Sequence, residues 1–280
     1  MRASYGEAGC AFEEVGQVVV ISVVSAKGGV GKTTLSACLA MGLAPGRDVL
    51  AVDLDPQNAL RLHLGVNPGE IDGACRATLE ERSWQTAVYR GGKGRPSVLP
   101  YGNINETDRD ALEAHLSANP QWLTNGLRGL GLGPQSVVVI DTPPGPSLYQ
   151  QQALRAANFT LIVIHADAAS YVTIASMETI LDRYCVGREG FAGSVYLLNS
   201  VSAASALSRD VVRVVRSELG DRVIPVVVHQ DEAVREAMAF DQPVLLYAPH
   251  GEATRDIQHV IRWFDQNLSA VLRVAKARAS

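Results

Sequence analysis

A chain of 280 residues with 47% hydrophobic and 19% charged content is long enough to bury a full α/β core, so one large domain is expected. Its formal charge of −4 gives no general attraction to nucleic acid or anionic lipid, and any such contact needs a local patch. Cys10, Cys38, Cys75 and Cys185 are scattered, with no CxxC or Cys/His spacing, which argues against metal ligation and a disulfide framework and fits a reducing cytoplasm.

Residues 1–16 are small, polar and acidic, without the basic-then-apolar build of a signal peptide, and the apolar run after them is too short to span a membrane. They are set apart as an unassigned extension, with 17–280 expected to form a single domain. Residues 18–24 (VVVISVV) form a β-branched, uninterrupted apolar run, the pattern of a strand buried on both faces of a parallel sheet. The run leads into Ser25-Ala26-Lys27-Gly28-Gly29-Val30-Gly31-Lys32-Thr33-Thr34. Residues 26–33 fit the phosphate-loop pattern G-x-x-x-x-G-K-[ST] with Ala in place of the first Gly, and a helix-period stretch at 32–43 completes the required context.

The physics of that loop is direct. Gly28, Gly29 and Gly31 allow turns that aim N–H groups at phosphates, and the helix that follows adds positive potential at its start. The expected ATP-binding set is Gly28, Gly29, Val30, Gly31, Lys32, Thr33 and Thr34, with Lys32 reaching the β and γ oxygens and the Thr33 hydroxyl ligating Mg²⁺.

A second strand at 49–52 runs into Asp53-Leu54-Asp55. Residues 65–101 read as irregular and include Arg90-Gly91-Gly92-Lys93-Gly94-Arg95, a mobile turn rather than a second phosphate loop, since no helix pattern follows it. After a helix at 108–116, the strand at 137–140 ends at Asp141. Downstream of a phosphate loop, a strand-end Asp is expected to hold the Mg²⁺ coordination sphere, and Gly145 in Thr142-Pro143-Pro144-Gly145 to offer its N–H to the γ-phosphate. Helices at 148–156, 174–184, 208–219, 232–240 and 252–272 then alternate with strands at 161–164, 195–198 and 223–228. The alternation predicts a doubly wound, mostly parallel sheet flanked by helices, with ATP and Mg²⁺ at the carboxyl ends of the strands.

With Lys27 early in the loop, Lys-Gly-Gly-x-Gly-Lys-Thr-Thr resembles the deviant Walker A ATPases of the ParA, MinD and nitrogenase iron-protein kind. The resemblance implies a homodimer enclosing two ATP molecules, in which Lys27 reaches across onto the other subunit's nucleotide. It makes residues 52–57 similar to a switch I segment, with Asp55 orienting the attacking water and Asp53 supporting the metal's water shell. Catalysis would then rest on Lys27, Lys32 and Asp55, and the metal on Thr33, Asp53 and Asp141. Asn199, at the end of the 195–198 run, matches the position from which the family hydrogen-bonds the adenine amino group.

Within this superfamily the chain is similar to the cellulose biosynthesis (BcsQ) branch. The likeness is carried by Asp55-Pro56-Gln57-Asn58-Ala59-Leu60-Arg61-Leu62, Ser83-Trp84-Gln85, Leu99-Pro100-Tyr101-Gly102, Val163-Ile164-His165-Ala166-Asp167-Ala168 and above all His229-Gln230-Asp231-Glu232-Ala233, continuing to Gln242-Pro243-Val244. That branch implies a cytoplasmic regulatory or assembly ATPase with slow turnover, beside the inner-membrane cellulose synthase and accessory subunits such as BcsR and BcsE.

Four other readings stand beside it. A partition ATPase needs a basic DNA face, and Arg209, Arg213 and Arg216 share a helix face that Asp210, Glu218 and Asp221 dilute. A MinD-like membrane binder needs a basic amphipathic tail, of which Leu268, Val271 and Leu272 beside Arg273, Lys276 and Arg278 are a thin version. Nucleic-acid and direct membrane binding are accordingly not expected. An iron–sulfur reductase needs a cysteine pair that does not follow Asp141 here. A scaffold with a vestigial nucleotide site stays open.

Overall fold

The computed structural model describes residues 18–277, with side chains through Leu268. The extension 1–16, Cys10 and Arg278 lie outside the described residues, as do the side chains of the tail after Leu268.

The apolar runs pair into one six-stranded sheet in the order β3-β2-β4-β1-β5-β6, and each strand pair in it is parallel. In chain order the elements are β1 (Val19–Val24), α1 (Lys32–Leu43), β2 (Val49–Asp53), α2 (Leu60–His63), α3 (Ala74–Leu79), β3 (Ser97–Leu99), α4 (Glu106–Ala118), α5 (Trp122–Gly129), β4 (Val137–Asp141), α6 (Leu148–Ala156), β5 (Phe159–His165), α7 (Ala168–Tyr171), α8 (Ile174–Tyr184), β6 (Gly193–Asn199), α9 (Ala206–Leu219), α10 (Glu232–Ala239), α11 (Val244–Tyr247) and α12 (Glu252–Ala277).

The strands read as continuous apolar runs because both of their faces are covered. Val19, Ile21 and Val23 of β1 pack with Leu39, Ile257 and Phe264 of α1 and α12. On the opposite face, Val20 belongs with Leu112, Leu123 and Tyr149 of α4, α5 and α6. Beyond β1, Ile162 and Ile164 pack with Met177 and Leu181 of α8. Strand order reverses around β1, with β4 on one side and β5 on the other, so the crevice for a ligand falls at the carboxyl ends of the central strands. Among the described residues, no helix is long and apolar enough to cross a membrane.

Helix α1 is fixed to the layer at its far end. A Cβ on Gly42 would stand 2.4 Å from Cδ1, 2.7 Å from Cγ2 and 2.8 Å from Cγ1 of Ile261, so the whole side chain on α12 must shift to admit a methyl. Gly42→Ala is expected to cost about 1–3 kcal/mol through this overpacking. An unchanged midpoint in urea unfolding would contradict the contact.

The expected strand at 223–228 does not form as a regular strand. Ile224 N–H donates to Tyr196 O at 2.9 Å, but the next ladder bond comes from Val228, to Leu198 O at 2.9 Å, so residues 225–227 loop away. Pro225 explains this, because it has no N–H to donate and is confined to sheet edges. Conversely, the segment read as irregular contains α3 and the three-residue strand β3, and α5 had no counterpart in the sequence reading.

Candidate nucleotide site

Residues 25–31 link β1 to α1. Gly29 and Gly31 have φ of 71° and 89°, a region that residues with a Cβ rarely enter. At Gly31 a Cβ would also stand 2.4 Å from Asn199 Nδ2. Helix α1 begins at Lys32 with no side-chain cap and no acidic residue in its first turn, so its leading amides face the loop as anion donors.

Parallel register places the acidic groups. Asp53 and Asp141 are partners at the ends of β2 and β4, and both are fully buried. Thr33 Oγ1 donates to Asp141 Oδ2 at 2.7 Å, and Ser36 Oγ donates to Oδ1 at 3.0 Å. Burial pushes the Asp141 carboxyl up to about 6, against the opposing hydrogen bonds of Thr33 and Ser36 and the charge of Lys32. Burial also raises Asp53 well above the usual carboxylate range, and the neighbouring Asp141 charge adds to it. Lys32 is itself only 6% exposed. Burial lowers its ammonium pKa, while Asp141 and then Asp55 act the other way.

Asp53 braces the loop that carries Asp55. Its Oδ1 accepts from Asp55 N–H at 2.9 Å and its Oδ2 from Leu60 N–H at 3.0 Å. Asp55 is half-buried and accepts from Gln57 N–H at 2.9 Å. The Thr33 hydroxyl and the carboxylates of Asp53 and Asp141 are oxygen donors, which suit a hard divalent cation such as Mg²⁺. A cation would also relieve the repulsion between the two buried carboxylates. Among the described residues, no three His, Cys, Asp or Glu side chains form a protein-only cage, so a cation here would complete its shell with phosphate and water oxygens.

Gly145 has φ 71°, and its N–H donates to Ser25 O at 3.0 Å. Gln150 Nε2 donates to the same carbonyl at 3.2 Å. In this conformation the Gly145 N–H is therefore turned to the phosphate loop's own backbone. Asn199 is equally committed: its Nδ2 donates to Val30 O at 2.7 Å, leaving Oδ1 as the acceptor for an amino group. Asn199, Gly31, Thr34, His165 and His229 line a cleft of about 390 Å³. His229 is fixed there by Asp256, whose Oδ2 lies 2.8 Å from Nδ1 and accepts the His229 backbone N–H at 2.9 Å.

Lys27 lies on the outer lip of the loop, with Nζ 3.6 Å from Asp167 Oδ1. His165 Nδ1 is 3.8 Å from the other oxygen of Asp167, and its buried Nε2 has no hydrogen-bond partner. Burial depresses the His165 pKa. Burial alone would raise Asp167, but hydrogen bonds from Ser170 and the charge of Lys27 outweigh it and hold the carboxyl below its ordinary value. Sequence reasoning gave His165 and Asp167 no role. The available signal was a pair of polar residues just after a buried apolar run, as for Asp53 and Asp141.

Lys32, Thr33, Asp53, Asp55 and Asp141 thus meet on one side of the loop, with Lys27 and Asn199 beside it. The family model described as Cellulose biosynthesis protein BcsQ matches residues 18–264. The chain belongs to the BcsQ family. The BcsQ of Salmonella typhimurium is 27% identical to it, over 88% of this chain and 94% of that protein. Chromosome partitioning protein ParA of Myxococcus xanthus is 28% identical, over 87% of this chain and 86% of that protein. Among solved structures, the septum site-determining protein MinD from Pyrococcus horikoshii OT3, complexed with Mg-ADP, matches with a TM-score of 0.71 at 23% identity, covering 91% of this chain and 99% of that one. The fold expected of a BcsQ chain, a parallel sheet with helices on both faces, is the one observed.

Proposed function

We propose that residues 17–280 form one ATPase domain that dimerises on ATP and regulates or assembles the cellulose synthesis and secretion machinery. The observation that carries the reading is the meeting of a buried lysine with a hydroxyl–carboxylate pair, Thr33 and Asp141, at the phosphate loop of a BcsQ-family chain. Lys32 and the amides around Gly28, Gly29, Val30, Gly31 and Thr34 bind and orient the polyphosphate. Thr33 and Asp141, with Asp53 behind them, hold Mg²⁺, which when bound neutralises developing charge on the phosphates. Asp55, carried on the loop that Asp53 braces, orients a water for attack on the γ-phosphate, giving ADP and phosphate. Asn199 offers Oδ1 to the adenine amino group, and Gly145 exchanges Ser25 for the γ-phosphate when ATP is in place.

Lys27 acts in trans. Its distance of 3.6 Å from a half-exposed carboxylate makes a weak pair, so it can leave Asp167 for a second subunit's nucleotide. Recruitment to the inner membrane then runs through cellulose-machine partners such as BcsR, BcsE and the synthase. The partition reading, which the ParA relative keeps in view, is not favoured by the surface. Arg209 hydrogen-bonds Ala203 O, Arg213 lies 3.1 Å from Asp210, and Arg216 donates to Pro225 O at 2.8 Å.

The test compares oligomeric state by light scattering, with and without a non-hydrolysable ATP analogue, for wild type and Lys27→Ala. Wild type is expected to double in mass with the analogue, and Lys27→Ala to stay monomeric while still binding it. Equal mass for both proteins in both conditions would sink the dimer reading.

A further inference from the structure

A cavity lies at the opposite end of the sheet from the phosphate loop. It measures about 730 Å³ and is walled by residues 44–50 entering β2, the hairpin that precedes β3, and residues 130–136 entering β4. That volume is in the range of small-molecule sites. Arg47, Arg90, Lys93 and Arg95 line it against a single lining carboxylate, Asp48. Arg47 is paired with Asp265, but among the described residues Arg90, Lys93 and Arg95 make no ion pair. A chain of net charge −4 thus gathers unneutralised positive charge at one concave place.

The cationic hairpin is closed by backbone hydrogen bonds. Tyr89 and Val98 exchange backbone hydrogen bonds of 2.8 Å, and Arg95 N–H donates to Gly92 O at 2.9 Å. Gly91 N–H donates to Ser97 Oγ at 3.2 Å. A Cβ on Gly91 would stand 2.3 Å from Pro96 O, so glycine is what lets the two arms close. Across the cavity, the wall includes Ser136, 3% exposed, whose hydroxyl has no hydrogen-bond partner. An unpartnered buried hydroxyl is costly.

We propose that this cavity is a second anion site, binding a small soluble molecule that carries phosphate groups. The arginine guanidiniums present forked donors that match phosphate oxygens, and the lysine adds a point charge. A concave, half-open site with an unpaired cation set fits a compact polyanion better than a flat lipid surface. The site is independent of the nucleotide reading, since none of its lining residues belongs to the phosphate loop.

Pyrophosphate is the probe, titrated calorimetrically into the full chain carrying Lys32→Ala, without Mg²⁺, so that the phosphate loop contributes little. One-to-one binding is expected, weakened at least tenfold when Arg90→Ser, Lys93→Ser and Arg95→Ser are added. In an otherwise wild-type chain those three changes leave ATP affinity unaltered. A second measurement uses the wild-type chain without nucleotide, where pyrophosphate is expected to slow chemical acetylation of Lys93. Affinity unchanged by the triple substitution, no protection of Lys93, or binding of phosphatidylglycerol vesicles with none of pyrophosphate would each overturn the proposal.

Discussion

Lys32→Ala is expected to lower ATP turnover by about a hundredfold or more, the scale seen when one preorganised donor to a developing charge is removed from a dry site. Lys32 is buried and lies in the field of Asp141 and Asp55, so its charge is little screened by water. Without it, Asp53, Asp55 and Asp141 would face the polyphosphate with no fixed protein cation among them, and repulsion would add to the lost attraction. Binding and turnover should therefore fall together. Steady-state phosphate release, with nucleotide affinity measured in parallel, checks this. Turnover within threefold of wild type would mean that the phosphates sit elsewhere.

The second large effect has the opposite sign in the absence of ligand. Asp141→Asn is expected to raise the thermal midpoint of the nucleotide-free, Mg²⁺-free protein at pH 7.5, while abolishing the additional stabilisation that Mg²⁺ with ATP confers. Because burial lifts the folded-state pKa of Asp141 to about 6, its favourable contribution is complete below the ordinary carboxylate range and is lost as pH rises through about 6. At pH 7.5 the fold holds an ionised, desolvated carboxylate that asparagine replaces with a neutral group. A gain of several degrees is expected, at about 2–4 °C per kcal/mol for a chain of this size, shrinking as pH is lowered toward 5. A lower midpoint for the Asn variant at pH 7.5 would show that the hydrogen bonds from Thr33 and Ser36 outweigh desolvation.

The features legible in the sequence were the local ones. The glycine loop, Lys32 and Thr33 are set by a few adjacent residues, and the buried strands announce themselves as β-branched runs. Asp53 and Asp141 could each be seen at a strand end. Their adjacency depends on β2 lying beside β4, which no spacing reveals. The 223–228 run misled because apolarity reports burial without reporting whether a proline interrupts the ladder. Strand β3 escaped because three residues carry no period. Asn199 was read for adenine alone, yet one of its two functional ends clamps Val30, a contact between residues 169 apart in sequence.

The carbonyl of Ser25 sets how readily the Gly145 loop can be released. It accepts both Gly145 N–H and Gln150 Nε2, and Ser25 is fully buried. Had Gly145 been its sole donor, its departure would strand a buried acceptor, a penalty of about 1–3 kcal/mol. With Gln150 remaining, the loss is closer to that of one ordinary hydrogen bond, about 0.5–1.5 kcal/mol, or roughly a tenfold change in population at most. The loop is thus latched lightly, and a single new acceptor for the Gly145 N–H would be enough to reverse its preference.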